Sequence, residues 1–494
     1  PPRSTLFPYT TLFLSGSWDN FMMNESKGMF RSHFGFLMSA IGVAIGLGNI
    51  WGFPYKMGAN GGFAFLLIYI VMAVFIGYPL LLAELSLGRK TGKAAVEAFQ
   101  AASPKFKFVG VFETLVPFLL LCFYCVLGGV VIKYTIANFG DIIGASFGMN
   151  GVKSNAFFQS FVSDTKMTVL FTLLFLLLTS YTVFRGIENG IEKFCAYGMP
   201  LLFLMLLITV VKCCTLPHGM EGIKFMFKPD FKVFAGTGWF KAFAMAGGQM
   251  FFSISLASGA LIAYGSYMKK DADLDKSAKL IPVFDTLAAL LAGLAVFPAV
   301  FSEGLPPTGG PGLLFVSLQT VFNSMGSVGP IFGFIFYLLV FVAAFSSSIG
   351  MMEGGISAIM DSRIKRNKGA SRPVVVLGIT ITTILGSTLV ALDQLGGNQG
   401  MWKPFGLGSW LDVFDLGGEG ILMPLGGFFT AILFGWVRRG FLDDEIESSS
   451  PYKSKGFVHF CMRWIAPVFM AFVVFIQISN FFFSNTAWYR ALLG

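Results

Sequence analysis

The sequence predicts an all-α polytopic membrane protein with eleven transmembrane helices: two five-helix inverted repeats, with discontinuous helices 1 and 6, plus one extra helix. Three observations carry that prediction. The 494 residues are 55% hydrophobic and 12% charged, with a mean hydropathy of +0.73, which is the balance of a chain that crosses a bilayer repeatedly. Its apolar runs are long enough to cross, since a helical span takes about 20 residues. The first and sixth runs are interrupted at corresponding places, the pattern of a repeat built around broken helices.

Residues 1–32 are irregular, and the apolar stretch Leu6–Leu14 is too short to span. They read as a disordered cytoplasmic tail, in which the sequon at Asn24 is inert. The membrane domain is expected over 33–494: repeat one 34–214, repeat two 238–437, helix eleven 457–484. The spans fall near 34–57, 62–87, 108–138, 166–184, 191–214, 238–267, 278–302, 329–360, 373–392, 410–437 and 457–484. Lys and Arg cluster in the loops after even-numbered spans, for example Arg89, Lys90 and Lys93, or Arg363, Lys365 and Arg366. The positive-inside rule then places the N-terminus in the cytoplasm and the C-terminus outside. The Gly/Pro-rich segment 305–325 is too short to span and reads as an outer loop folded back as a lid.

Composition also excludes. Three histidines far apart in sequence do not make a metal centre or a catalytic cluster. The six cysteines lie in or at the ends of apolar runs, as small buried hydrophobes rather than a disulfide framework. Dinucleotide and phosphate-loop fingerprints are absent, so the sequence offers no ATP coupling of its own. The net charge of +9 belongs to cytoplasmic loops, not to a nucleic-acid patch. The expected surroundings are a lipid bilayer.

The first interruption is GVAIGLGNIWGFP, residues 42–54. Each glycine costs a helix about 1 kcal/mol and proline costs more. Gly42, Gly46, Gly48 and Asn49 therefore predict a break in mid-span, although Gly42 and Gly46 equally fit close helix packing. Freed backbone groups in hydrocarbon are tolerated where they line a cavity or bind something. The second interruption is Ser253-Ile254-Ser255-Leu256-Ala257-Ser258-Gly259. Serines within spans often bond only to the preceding turn, so the pairing of the two breaks is what raises the functional reading. Glu84, Glu113, Asp285, Glu353, Asp415 and Glu419 fall in or near apolar runs, where a charge costs several kcal/mol. Asp285 is flanked by apolar residues on both sides, and Glu84 reads as a cap for freed N–H groups of a broken helix. Ser346-Ser347-Ser348 adds hydroxyls. An oxygen shell of little charge suits a hard monovalent cation, and with Asn49 and Asp285 there are ligands for two.

GLGNIWGFP, NGG at 60–62, YPLLLAELSLGR at 78–89, FYCVLGG at 123–129, QMFFSISLASG at 249–259, FDTLAALLAGLAVFP at 284–298, AAFSSSIGMME at 343–353 and LDVFDLGG at 411–418 together resemble the neurotransmitter:sodium symporter family. The likeness is narrower to its bacterial eleven-span amino-acid transporters and runs from about residue 33 to 484. It implies Na+ as the coupling ion, a small amino-acid substrate and a place in a bacterial inner (plasma) membrane. One sodium site would use the carbonyl of Ala44, the side chains of Asn49, Ser253 and Asp285, and the substrate carboxylate. The other would use the carbonyls of Gly42, Ile45 and Ala343 with the hydroxyls of Ser346 and Ser347. The substrate carboxylate would meet the N–H groups of Leu47 and Gly48 and the hydroxyl of Tyr124. Leu120, Phe252, Ser255, Ser258, Ser347 and Met351 would line the side-chain pocket, with Phe252 as its roof.

The resemblance also implies specificity. Gly46 stands where monoamine carriers of the family have an aspartate, so the substrate brings its own carboxylate. Asp285 stands where chloride-dependent relatives have asparagine, and Ala289 where they have serine; a fixed carboxylate replaces a bound chloride by charge balance. The mainly apolar lining favours a hydrophobic or aromatic amino acid. The chain departs from the family at Gly52, which replaces an outer-gate arginine usually paired with an acid at the position of Asp415. Lys56, one turn further, is expected to take that partner. At the inner face, Lys27 or Arg31 is expected to pair with Asp361. The expected activity is sodium-coupled import by alternating access, not enzymatic chemistry. The alternatives are a carrier of cationic amino acids, a proton-coupled carrier using Asp415 and Glu419, or a membrane enzyme.

Overall fold

The computed structural model describes residues 28–149, 151–307, 312–369, 371–483 and 486. The first described helix is α1 (His33–Ala44), whose N-cap is Ser32: its side chain accepts from the Gly35 N–H. α1 is followed by α2 (Gly48–Ala59), bent from it by 46°. Then come α3 (Phe63–Thr91), α4 (Pro104–Ile142), α5 (Thr165–Phe184) and α6 (Ile187–Cys214). The second half opens on α7 (Gly238–Ile254) and α8 (Ala260–Ser266). α9 (Leu274–Ser302), α10 (Gly326–Lys365), α11 (Arg372–Gly396), α12 (Trp410–Val437) and α13 (Lys455–Ser479) complete the bundle.

Among the described residues, nine helices are long and apolar enough to cross a membrane, and the α1–α2 pair makes a tenth. α7 and α8 have 17 and 7 residues, too short to cross singly. The break 255–259 separates them within 238–266, where the sixth of the eleven spans is expected. Several spans run longer than their apolar cores. α3 continues past residue 87 to Thr91, where Gly92 closes it with φ of +63°. The segment read as a lid holds a short helix, Leu313–Ser324.

The bundle packs by close backbone approach around the breaks. α8 lies against α3: a Cβ on Gly88 would stand 2.9 Å from the Ser266 nitrogen, and one on Gly265 would stand 3.0 Å from Leu85 Cα. Small residues are what permit such crossings where no hydrophobic force drives helices together. Gly42 serves the same end, since a Cβ there would come within 3.1 Å of Ser346 Cβ and 3.3 Å of Cys195 Sγ. The packing reading and the break reading of that glycine both hold. α1 thereby ends on α6 and α10, with Ile41, Val43 and Ile45 fully buried. Long apolar side chains such as Leu177, Val211 and Leu385 are exposed on the outside of the bundle, where lipid covers them.

Candidate functional site

α1 stops because Ile45 turns extended, with φ −76° and ψ 107°, while its N–H still closes on the Ile41 carbonyl. The chain resumes at Leu47 and widens into a π-helical turn over Gly48–Gly52 at the start of α2. The groups freed between the two helices find side chains. The Gly46 N–H donates to Asn49 Oδ1 at 3.0 Å, and the Leu47 N–H to the Tyr124 hydroxyl at 3.1 Å. Gln249 Nε2 donates to the Gly48 carbonyl at 2.7 Å. Gly46 has no space beside it: a Cβ would lie 2.6 Å from the Tyr124 hydroxyl and 3.1 Å from Ser347 Cβ.

Two oxygen clusters flank this break. In the first, Asn49 Nδ2 donates to the Asp285 carboxylate at 2.7 Å and to its carbonyl at 3.0 Å. Ser253 Oγ lies 3.0 and 3.1 Å from the two carboxylate oxygens, and Tyr69 donates its hydroxyl to Oδ2 at 2.7 Å. All four residues are fully buried. In the second, Ser347 Oγ lies 3.1–3.2 Å from the carbonyls of Gly42, Val43 and Ile45. Beside it, Ser346 Oγ donates to the Ala343 carbonyl at 3.0 Å. Ala44 is buried between the clusters.

The second break turns through left-handed backbone at Ser255 (φ 57°), Ala257 (φ 52°) and Gly259 (φ 69°). Ser255 Oγ reaches the first break and donates to the Val43 carbonyl at 3.0 Å. The freed Ala257 N–H donates to Glu84 at 2.7 Å, so that buried carboxylate caps the broken helix. Ser258 closes locally on the Ser255 carbonyl at 2.6 Å. Leu120 and Met351 are buried here, and Phe252 is half-buried with its ring 3.0 Å from where a Gly48 Cβ would stand.

Outside Phe252 lies a cavity of about 260 Å³, bounded by Trp51, Gly52, Lys56, Asp415 and Glu419. The Lys56 expectation is corrected here: its ammonium pairs with Glu419 at 2.5 Å, not with Asp415. Lys56 stands one turn beyond Gly52 along α2, so it meets the acid one turn along α12, and Asp415 lines the same cavity wall. At the opposite end, Asp361 accepts from the Ala94 N–H at 2.6 Å, while the Arg31 N–H donates to Glu192 at 2.6 Å. Lys27 lies outside the described residues. Glu353 is an ion-pair partner of Arg372 and accepts from the Tyr267 hydroxyl at 2.8 Å; Glu113 accepts from Thr430.

Residues 27–147 and 154–490 match the family model described as the sodium:neurotransmitter symporter family. The chain belongs to that family. It is 32% identical to the sodium-dependent transporter YhdH of Bacillus subtilis, over 93% of this chain and all of the relative. A sodium-dependent transporter of Haemophilus influenzae is also 32% identical, over 93% of this chain and 99% of its own length. The crystal structure of MhsT in complex with L-phenylalanine superposes with a TM-score of 0.82 at 33% identity, covering 92% of this chain and all of that one. The protein is therefore a sodium-dependent symporter, a multi-pass secondary transporter and not an enzyme.

Three polar partners escaped the sequence reading. Tyr69 holds Asp285, Gln249 holds Gly48, and the Val43 carbonyl joins the two breaks. Tyr69 had a usable signal: a phenol in an apolar span seeks an acceptor.

Proposed function

We propose that the protein imports a neutral amino acid with a hydrophobic or aromatic side chain, together with sodium and without chloride. The observation that carries this reading is the meeting of Asn49, Ser253 and Asp285 beside the broken backbone at Gly46–Gly48, next to the Tyr124 hydroxyl. Neutral oxygens and a single carboxylate fit an alkali cation, not a transition metal. Sodium binds there with Ala44 and the substrate carboxylate completing the shell, and a second sodium binds between Gly42, Ile45, Ala343, Ser346 and Ser347. The substrate carboxylate takes the Leu47 and Gly48 N–H groups, displacing or sharing Tyr124. Its side chain enters between Leu120, Phe252, Ser255, Ser258 and Met351. The likeness to MhsT bound to phenylalanine supports this choice.

Gly46 favours a substrate that carries its own anion, because no carboxylate stands at that position. Asp285 supplies fixed negative charge beside the sodium, which makes a chloride redundant. Sodium and substrate raise each other's affinity, since the substrate oxygen is itself a sodium ligand. The halves 34–214 and 238–437 then rock about the two breaks, and each positive charge carried inward at −100 mV gains about 2.3 kcal/mol. Lys56–Glu419 with Asp415 gates the outer path and Arg31 or Lys27 with Asp361 the inner one. The charge of the even-numbered loops favours a cytoplasmic N-terminus in an inner membrane.

Uptake of labelled phenylalanine into proteoliposomes tests the proposal. Accumulation is expected with a sodium gradient in chloride or gluconate. Accumulation without sodium, or none of any neutral amino acid, overturns it.

A further inference from the structure

Gly435 lets the last turn of α12 close onto the first turns of α13. A Cβ there would lie 2.5 Å from the Met462 carbonyl oxygen and 2.9 Å from Arg463 Cα. Both helices widen into a π-helical turn at this crossing, over Leu433–Val437 and Cys461–Ile465. The approach sets Trp436 against Arg463, and the indole Nε1 donates to the Arg463 carbonyl at 2.9 Å. Trp464 meets Trp436 edge to face, with ring centres 5.0 Å apart. The Arg463 guanidinium lies 4.8 Å from the centre of the Trp436 ring and 5.0 Å from that of Trp464. Arg439 reaches the same Trp436 ring at 5.9 Å.

Two guanidinium groups thus share one indole, and among the described residues neither has a carboxylate partner. Arg439 spends its Nε on the Gly435 carbonyl at 3.0 Å, and Arg463 Nε is buried without a hydrogen bond. Arg438 is occupied by the Ala102 carbonyl at 3.0 Å. The carboxylates that follow in sequence are committed to other basic groups: Asp443 to Lys455 and His459, Asp444 to Lys90, Glu445 to Arg89 and Lys270. Like charges held together on an apolar surface repel unless an anion lies between them. Cation–π attraction holds each charge in place but satisfies none of its N–H donors.

The surroundings indicate which anion. Val437, Phe460, Trp464 and Val468 are exposed along α12 and α13, an apolar surface that the bilayer covers. Tryptophan and arginine together mark the depth of lipid headgroups. We infer that Trp436, Trp464, Arg439 and Arg463 form a binding site for an anionic phospholipid, its phosphate between the two guanidinium groups and an acyl chain along Trp464 and Val468. The guanidinium fork matches two oxygens of a phosphodiester. A headgroup with its own cation brings a competing charge to the same place, so phosphatidylglycerol fits the site better than phosphatidylcholine. None of the residues assigned to sodium or to the transported solute belongs to it.

Native mass spectrometry of the purified full chain in detergent, titrated with dioleoylphosphatidylglycerol or dioleoylphosphatidylcholine, tests it. Each arginine beside an anionic lipid is worth about fivefold in affinity, so the first phosphatidylglycerol should bind about 25-fold more tightly than the first phosphatidylcholine. Arg439→Gln, at an exposed position, should lose about fivefold of that preference, and Arg439→Gln combined with Arg463→Gln should bring the two lipids level. Arg363→Gln combined with Arg366→Gln, which removes two exposed arginines at the end of α10, should leave the preference unchanged. Inorganic phosphate at matched ionic strength should not displace the lipid. A cooperative thermal transition reports that each variant is folded. Equal affinity of the unmodified chain for the two lipids, a preference that survives the Arg439/Arg463 double substitution, an equal loss in the Arg363/Arg366 control, or displacement by inorganic phosphate overturns the inference.

Discussion

Replacing Asp285 by asparagine keeps the shape of the first oxygen cluster and removes its charge. The carboxylate accepts from Asn49 at 2.7 Å, from Tyr69 at 2.7 Å and from Ser253 at 3.0 Å, and none of these groups is exposed. An amide retains one acceptor oxygen and turns an NH₂ toward the Tyr69 or Ser253 hydroxyl. At least one charge-assisted hydrogen bond is lost, about 1.5–3 kcal/mol. A sodium ion about 4 Å from the lost charge forfeits up to about 4 kcal/mol at the effective dielectric of a protein site. Taken together, a loss of about 2–4 kcal/mol in sodium affinity is expected for Asp285→Asn, or about 30- to 700-fold. The assay is a sodium titration of phenylalanine binding in detergent, repeated with chloride and with gluconate. Charge balance further predicts that chloride restores part of the affinity in the variant and has no effect on the unmodified protein. A half-saturating sodium concentration that moves less than about threefold would refute the assignment of Asp285 to the ion site.

Tyr69→Phe removes one donor from the same carboxylate without touching the ion, so sodium affinity should fall about 5- to 10-fold in the same titration. Gly46→Val places a branched side chain against the Tyr124 hydroxyl, where even a Cβ would stand at 2.6 Å; phenylalanine binding should be lost while the stabilisation of the protein by sodium alone persists in a thermal-shift measurement. Lys56→Met strands the nearly buried Glu419, costing about 3 kcal/mol in an unfolding experiment, and Lys56→Met combined with Glu419→Leu should recover most of it. Glu84→Ala leaves the Ala257 N–H unpaired and should cost about 1–3 kcal/mol, whereas Glu84→Gln, which still accepts, should cost less.

Both breaks were legible because helix-breaking residues are written into them. Gly46, Gly48 and Asn49 mark the first, and Ser253, Ser255, Ser258 and Gly259 the second. Glu84 was legible as a cap because a lone carboxylate in an apolar helix needs a donor, and the structure supplies the Ala257 N–H. What stayed hidden has a common cause: it depends on register between helices far apart in sequence. Lys56 and Asp415 lie on facing helices, but which turn meets which is fixed only when α2 packs on α12, and the outcome is Glu419. Helix lengths were hidden for a different reason. Apolar patterning reports the bilayer core, whereas α3 and α10 run beyond it through Arg89, which is buried in an ion pair with Glu445, and Arg363, which is exposed.

The left-handed residues in the second break are not all glycine, and this bears on how the two halves are joined. Ser255 and Ala257 each adopt a conformation that costs an L-residue about 1–2 kcal/mol, which persists only where the surroundings over-determine it. The surroundings do so from both sides. Glu84 on α3 holds the Ala257 N–H, and Ser255 spends its hydroxyl on the Val43 carbonyl at the end of α1. That carbonyl also accepts from Ser347 on α10. One peptide oxygen in the first break is thus shared by the second break and by the helix that carries the second oxygen cluster. A cation drawn to the carbonyls around Ser347 competes for these lone pairs and so acts on the hinge of both halves at once. Glycine at 255 would remove the strain and, with it, the hydroxyl through which one break senses the other.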